Sequence, residues 1–399
     1  MKLDPKTQRS LFPEECLLRE IARQPRLSIG LPKENADAET RLALTPEGVA
    51  IITEEGHSVY VERGAGEPMS YSDLQYSEAG AFLVDKAEVY GAEIVLKIAP
   101  PTLEELEMMN DRSSVFSMLQ LSNLSAECIS LMMKKKMNAV AYELIKDEQK
   151  TFPVVSSISE IEGSTAIAVA AELMSNERGG KGLLLGGVAG ISPTEVLILG
   201  AGITGTVAAR TALALGAQIK IFDHDVSKLR KIQHYLGQQV FTSVIHPAVL
   251  FKALASADAV IGNLRYINGS ERFMVSEELV KTMKPGAVII DLSVDQGGCF
   301  ETSKCRTLKN PVFVKHGVIH YCVPNISARV ARTTSMAVSN IFTPMLLKIA
   351  HSGSVKSAIA ESAGFRNGAY VFGGVLVNRL IGSYYGLTSN DIGLLLAGY

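Results

Sequence analysis

Apolar residues fall along the chain in short β-branched or aliphatic runs, separated by stretches in which they recur at helical spacing. One series comprises RLSIGLP, HSVYVER, AEIVLKIAP, SVFSMLQL and NAVAYELI, alternating with segments such as Pro46 to Glu55. Runs of this kind, bounded by turn residues, predict strands between helices. A second series follows in EVLILG, QIKIFD, ADAVIG, AVIIDLS and GVIHYCV. The alternation predicts an α/β protein with two doubly wound, mostly parallel sheets of Rossmann-like type and a cleft between them. Between the series, SISEIEGSTAIAVAAELM sets Ser159 and Glu162 at capping-box spacing before an Ala-rich run, which predicts a helix opening at Ser159 and crossing between domains. The tail from Ser339 has a helical, Gly-rich pattern and is expected to fold back on the first domain.

Composition adds limits. With 47% apolar side chains in 399 residues, the chain can bury two cores of ordinary domain size. Its 39 basic and 41 acidic residues nearly balance, so it lacks the electrostatic footprint that draws proteins to nucleic acid or anionic lipid. The five cysteines, Cys16, Cys128, Cys299, Cys305 and Cys322, form neither a disulfide framework nor a metal-type pair. No metal is expected, and a reducing, cytoplasmic setting fits best. The first 26 residues contain no secretory signal pattern, and no later run is expected to span a bilayer.

Candidate chemistry begins at LILGAGITGTVAARTALALGAQIKIFDHD, where Gly200, Gly202 and Gly205 follow a strand pattern and open a helix pattern. In that context the glycines have separate tasks: a tight turn, close backbone approach to a pyrophosphate, and close helix–strand packing. Asp223 ends the next strand, where a carboxylate accepts hydrogen bonds from an adenosine ribose and repels a 2′-phosphate. NAD is therefore expected over NADP.

Five longer stretches, LPKENADAETRLALTPEGV, VYVERGAG, GGKGLLLGGVAGISPTEVLILGAGITG, MKPGAVIIDLSVDQGGCFET and HYCVPN, together resemble the alanine dehydrogenase family, which is also similar to the NAD-binding subunit of proton-translocating transhydrogenases. The resemblance spans about residues 27 to 350. It implies a bilobal NAD enzyme that oxidises L-alanine reversibly to pyruvate and ammonia, with a small amino or keto acid in the cleft, assembled as a homo-oligomer of two or six copies. The implied division is an N-terminal extension over 1–26, a substrate domain over 27–153 plus 332–399, and a nucleotide domain over 154–331. Arg41 matches the arginine that grips the substrate carboxylate, a task suited to a planar fork. Asp295 matches an aspartate beside the nicotinamide, Asn325 a cleft asparagine, Ser159 a cofactor-contacting serine, and Lys228 a lysine near the ribose. Each also has a structural reading: a solvated Arg41 or Lys228, a turn at Asp295 or Asn325, a helix cap at Ser159.

The chain departs from the family at two positions. In VLKIAPP, Lys97 keeps the first of two lysines and Ala99 replaces the catalytic one; in SMLQLS, Gln120 replaces the acid/base histidine. Alanine has no polar group and an amide does not titrate near neutrality. Lys97 lies on the same strand face as Ala99, and His320, just before the YCVPN loop, is the reserve candidate for proton transfer. Three readings follow: an NAD-dependent amino-acid dehydrogenase, a transhydrogenase-like or opine-type oxidoreductase, and a catalytically impaired NAD-binding protein.

Overall fold

The structure, a computed structural model, describes residues 26–120, 124–264 and 274–397. Of the N-terminal extension only Arg26 falls among them. The first sheet is built from β1 (Ser28–Leu31), β2 (Ser58–Glu62), β3 (Phe82–Val84), β4 (Ile94–Leu96), β5 (Ser114–Ser117) and β6 (Asn138–Ala141), all parallel. The second contains β7 (Glu195–Leu199), β8 (Gln218–Asp223), β9 (Phe241–Val244), β10 (Ala259–Gly262), β11 (Val288–Asp291), β12 (Val312–Lys315) and β13 (Val318–Tyr321), of which only β12 runs antiparallel to its neighbour. The chain then returns to the first sheet through β14 (Ala369–Phe372), antiparallel to β6, and β15 (Val375–Leu376), antiparallel to β14. The tail is thus partly strand, which corrects the wholly helical expectation. Gly-flanked AYVF is buried along its whole length, and burial against β6 outweighs the helical pattern around it.

Strand order is β15-β14-β6-β5-β4-β1-β2-β3 in one sheet and β12-β13-β11-β10-β7-β8-β9 in the other. Winding therefore reverses between β1 and β4 and again between β7 and β10. Those two crevices at the carboxyl ends of the strands are where open α/β sheets hold ligands. Both faces of each sheet are covered. β7 sends Val196 and Ile198 to one face, against Ala166, Ala170, Ala208 and Ala212, and Leu197 and Leu199 to the other, against Leu250 and Leu254. Alternation of period two accounts for this division, and burial of both faces for the unbroken apolar runs seen in the sequence.

Two helices carry the chain between the sheets. The first, Pro153–Leu173, buries Val154 and Ile158 in the first core and Ala166, Ile167, Val169, Ala170 and Leu173 in the second. It begins at Pro153, after Phe152, so Ser159 is an interior helical residue and not a cap. Pro at the first helical position presets φ and lacks only an N–H that would be unpaired anyway, so the helix starts a turn and more before the apparent capping box. At 21 residues this helix is by length and composition able to cross a bilayer, but here its apolar residues lie in the two cores. Here it packs on the helix Ile203–Ala214 through Gly163, where a Cβ would stand 2.4 Å from the carbonyl oxygen of Thr204. The second, Ala331–His351, buries Val338, Phe342 and Leu346 in the first core.

Candidate active site

The Gly-rich turn leaves the end of β7 at the second crevice. Gly200 has φ +113°, a left-handed conformation open to glycine, and its N–H donates to the carbonyl of Phe222 at 2.7 Å. A Cβ on Gly205 would stand 1.8 Å from the carbonyl oxygen of Gly200, so helix and turn touch without a side chain between them. Gly202 caps the helix Ile203–Ala214, and a Cβ there would meet nothing nearer than Asn263 Nδ2 at 4.0 Å. The helix N-terminus thus presents backbone amides to an approachable space, the requirement for a pyrophosphate. Asp223 at the end of β8 is 2% exposed; its Oδ2 accepts the Ala201 N–H at 2.8 Å and its Oδ1 the Asp225 N–H at 2.9 Å. Each oxygen retains a further lone pair, so turn, helix end and acid fit a dinucleotide. Lys228 lies exposed on the following helix, Val226–Leu236, and Ser159 is half-buried on the crossing helix.

At the end of β11, buried Asp291 accepts N–H groups of Ser293 at 3.0 Å and Cys299 at 2.9 Å and the Ser303 hydroxyl at 2.5 Å. This carboxylate ties down the short helical turn Val294–Gln296, on which Asp295 is exposed at the same strand edge as the Gly-rich turn. His320 lies inside the sheet. Its Nδ1 meets the Val318 carbonyl at 2.9 Å and its Nε2 the Thr302 hydroxyl at 2.8 Å, while the ring stacks on Phe313. The carbonyl only accepts, so Nδ1 carries the proton and Nε2 accepts from Thr302. Burial holds its pKa down at about 4. Both nitrogens are engaged within the second sheet and the low pKa keeps the ring neutral near pH 7, so the reserve role for His320 is withdrawn.

Arg41 is 3% exposed, not a solvated surface residue. Its Nε and Nη2 donate to the two carboxylate oxygens of Glu39 at 2.7 and 2.6 Å, and its Nη1 to Ser327 Oγ at 3.0 Å. Burial opposes its charge, but Glu39 beside it prevails and raises the pKa. The Arg41 loop is fastened to the segment that follows β13. Asn325 Nδ2 donates to the Ala38 carbonyl at 2.7 Å, and the Thr40 hydroxyl to the Ala328 carbonyl at 2.7 Å. Arg41 and Asn325, far apart in sequence, therefore come together.

Lys97 is buried just past the end of β4. Its Nζ donates to Glu105 at 2.8 Å and to the Tyr90 hydroxyl at 3.4 Å, with Glu34 Oε2 at 3.5 Å. Burial would lower its pKa, but Glu34 and Glu105 overcome that and raise it. Glu34 accepts the N–H groups of Ile98 at 2.6 Å and Ala99 at 3.3 Å, and burial pushes its pKa up to about 7. Gln120 has φ +33° and lies next to Leu119, whose N–H donates to Glu143 Oε1 at 2.6 Å. Oε2 of Glu143 is buried with no hydrogen-bond partner among the described residues, and burial pushes that acid also to about 7. Glu34, Glu39, Glu143, Asp291 and Ser327 escaped the sequence reading. Glu39 alone left a signal, two residues before Arg41.

A model described as "Alanine dehydrogenase/PNT, N-terminal domain" matches residues 30–162, and one described as "Alanine dehydrogenase/PNT, C-terminal domain" matches 166–379. The chain belongs to the alanine dehydrogenase/PNT family. The alanine dehydrogenase of Methanococcus maripaludis is 36% identical over 362 residues, covering 90% of this chain and 96% of that protein. That of Bacillus subtilis is 38% identical over 342 residues, covering 85% and 90% respectively. Among solved structures, an L-alanine dehydrogenase at 32% identity has a TM-score of 0.83 over 90% of this chain and 99% of its own. A transhydrogenase from Sinorhizobium meliloti, 24% identical, shares the fold with a TM-score of 0.75 over 88% of this chain and all of its own. Family members and this chain thus have in common two Rossmann-like units, and the chain is an oxidoreductase.

Proposed function

We propose that the chain is an NAD-dependent amino-acid dehydrogenase, with L-alanine and pyruvate the first candidates for its substrate pair. Family membership supports action on the CH–NH2 group of an amino acid. The observation that carries the reading is the Gly-rich turn at the second crevice, open at Gly202, in the same chain as a buried arginine at the first. NAD, when bound, accepts the hydride from the substrate α-carbon. In this reading Gly202 and the helix N-terminus hold the pyrophosphate, Asp223 and Lys228 flank the ribose, and Ser159 meets the cofactor from the crossing helix. Arg41 binds the substrate carboxylate, braced by Glu39 and Ser327, while Asn325 keeps its loop in place. Asp295 faces the nicotinamide, and Lys97 and Gln120 border the substrate. The described cysteines are free thiols, consistent with a cytoplasmic setting. Exposed Leu184, Val188 and Ile191, on the segment before β7, support a homo-oligomer.

Ala99 and Gln120 favour a second reading, an NAD-binding protein that lost turnover. NADH formation from a panel of small L-amino acids separates the two. Turnover of alanine or a near relative is expected; NAD binding with no turnover of any amino acid would overturn the first reading.

A further inference from the structure

Glu34 lies at the point where the first sheet reverses its winding. It comes three residues after β1 ends, and it accepts backbone N–H groups from Ile98 and Ala99, just past the end of β4. One carboxyl therefore bridges the two strands that define the crevice. The position it supports, Ala99, is the one from which the side chain of the family lysine is missing. Lys97 stands 3.5 Å away, shared with Glu105 and Tyr90, while Glu39, which holds Arg41, and Tyr142 act on Glu34 electrostatically. Among these neighbours the ammonium of Lys97 is already matched by Glu105 at 2.8 Å, which leaves Glu34 the group able to gain or lose a proton without stranding a partner.

We propose that Glu34 is the acid/base of this active site and transfers the protons that the family assigns to the histidine replaced here by Gln120. The proposal rests on the dehydrogenase reading. In the oxidative direction the α-hydrogen leaves as hydride to NAD and an iminium remains on the substrate. The Glu34 carboxylate takes a proton from the attacking water as its oxygen bonds to the iminium carbon, and the C=N electron pair moves to nitrogen. The acid so formed protonates that nitrogen. The C–N bond then breaks as the hydroxyl gives its proton back to Glu34 and the C=O bond forms, and ammonia leaves. In the reverse direction protonated Glu34 donates to the keto-acid carbonyl. Its elevated titration, near neutrality, matches that work at physiological pH.

The test measures pyruvate affinity for the protein–NADH complex, and kcat/KM for alanine, from about pH 5.5 to 8.5. Pyruvate needs the protonated acid, so its affinity should fall about tenfold per pH unit above about 7 in the wild type. Glu34→Gln keeps an acceptor for the Ile98 N–H but cannot ionise; it should bind pyruvate without that slope and lose the near-neutral limb of kcat/KM, with NADH affinity within about twofold of wild type. Glu34→Asp should retain a slope, which separates proton transfer from a merely structural role. A wild-type slope surviving in Glu34→Gln, or no slope in the wild type, overturns the proposal. Absence of turnover with any amino acid, beside a pyruvate slope that Glu34→Gln abolishes, would overturn the dehydrogenase reading and support the proton assignment. If pyruvate does not bind at all, both fall.

Discussion

Both oxygens of Asp223 accept backbone N–H groups, one of them from Ala201 inside the Gly-rich turn. The acid therefore shapes the turn that it stands beside, and on the proposed reading its charge meets a 2′-phosphate directly. NADH should bind at least about tenfold more tightly than NADPH, a difference of about 1.4 kcal/mol. Asp223→Asn, which keeps one acceptor and removes the charge, should narrow that ratio in a fluorescence titration. Arg41 offers a second test. Its fork holds Glu39 through two parallel bonds that an ammonium cannot reproduce. Arg41→Lys should raise KM for the acid substrate by about tenfold or more while NAD affinity stays put, and should lower stability by about 1–3 kcal/mol because Glu39 is left partly unpaired in the interior. A variant matching wild type in KM would remove Arg41 from the substrate. At this scale the sequence spoke through residues set in long motifs. Glu34 and Glu143 were illegible because their character comes from burial and from backbone N–H partners just past the ends of β4 and β5.

Among the elements, the runs of four to six apolar residues that form the central strands were legible because both faces of a parallel sheet are buried. The edges were not. β3 and β9 begin with exposed Phe82 and Phe241, and β12 runs antiparallel, so none had the continuous apolar signature of a central strand. The crossing helix was recognised, but its start was misplaced because a Ser and a Glu three residues apart also occur inside helices. Two of the three glycines of the turn give an element-level test. Gly205→Ala would place a Cβ 1.8 Å from the Gly200 carbonyl oxygen, so helix and strand must separate; about 1–3 kcal/mol of stability should be lost in thermal melts, together with NAD binding. Gly202→Val meets open space in the protein and should leave the melting temperature within a few degrees, yet abolish NAD binding by occupying the pyrophosphate approach. If Gly202→Val still binds NAD, the cofactor does not cross this helix end.

For the whole molecule, buried titratable groups make stability depend on pH in opposite senses. Glu34 and Glu143 are held up at about 7 from the ordinary 4.5 by burial, so the folded chain keeps their protons longer; the stability they add is complete below about 4.5 and lost as pH rises through 7. His320, held down at about 4 from 6.5 by burial, contributes stability that is complete above 6.5 and lost as pH falls through 4. Glu143 is the cleanest probe, since its unpartnered Oε2 must carry charge at high pH. Glu143→Gln should therefore gain about 1–3 kcal/mol relative to wild type between about pH 5 and pH 8 in denaturant melts; an unchanged difference would mean that Glu143 titrates normally. The bilobal plan was readable from the two series of strands, but no periodicity reveals which loops meet across it. The contacts Asn325 to Ala38, Thr40 to Ala328 and Arg41 to Ser327 are such a meeting, made where the chain crosses back from β13 towards the first sheet. In a pair of tongs that place is the fulcrum: the angle of the jaws changes around it, while distances at the pivot do not. On the proposed reading of Arg41 as the substrate's anchor, an arginine seated there keeps its place whatever the angle of the jaws.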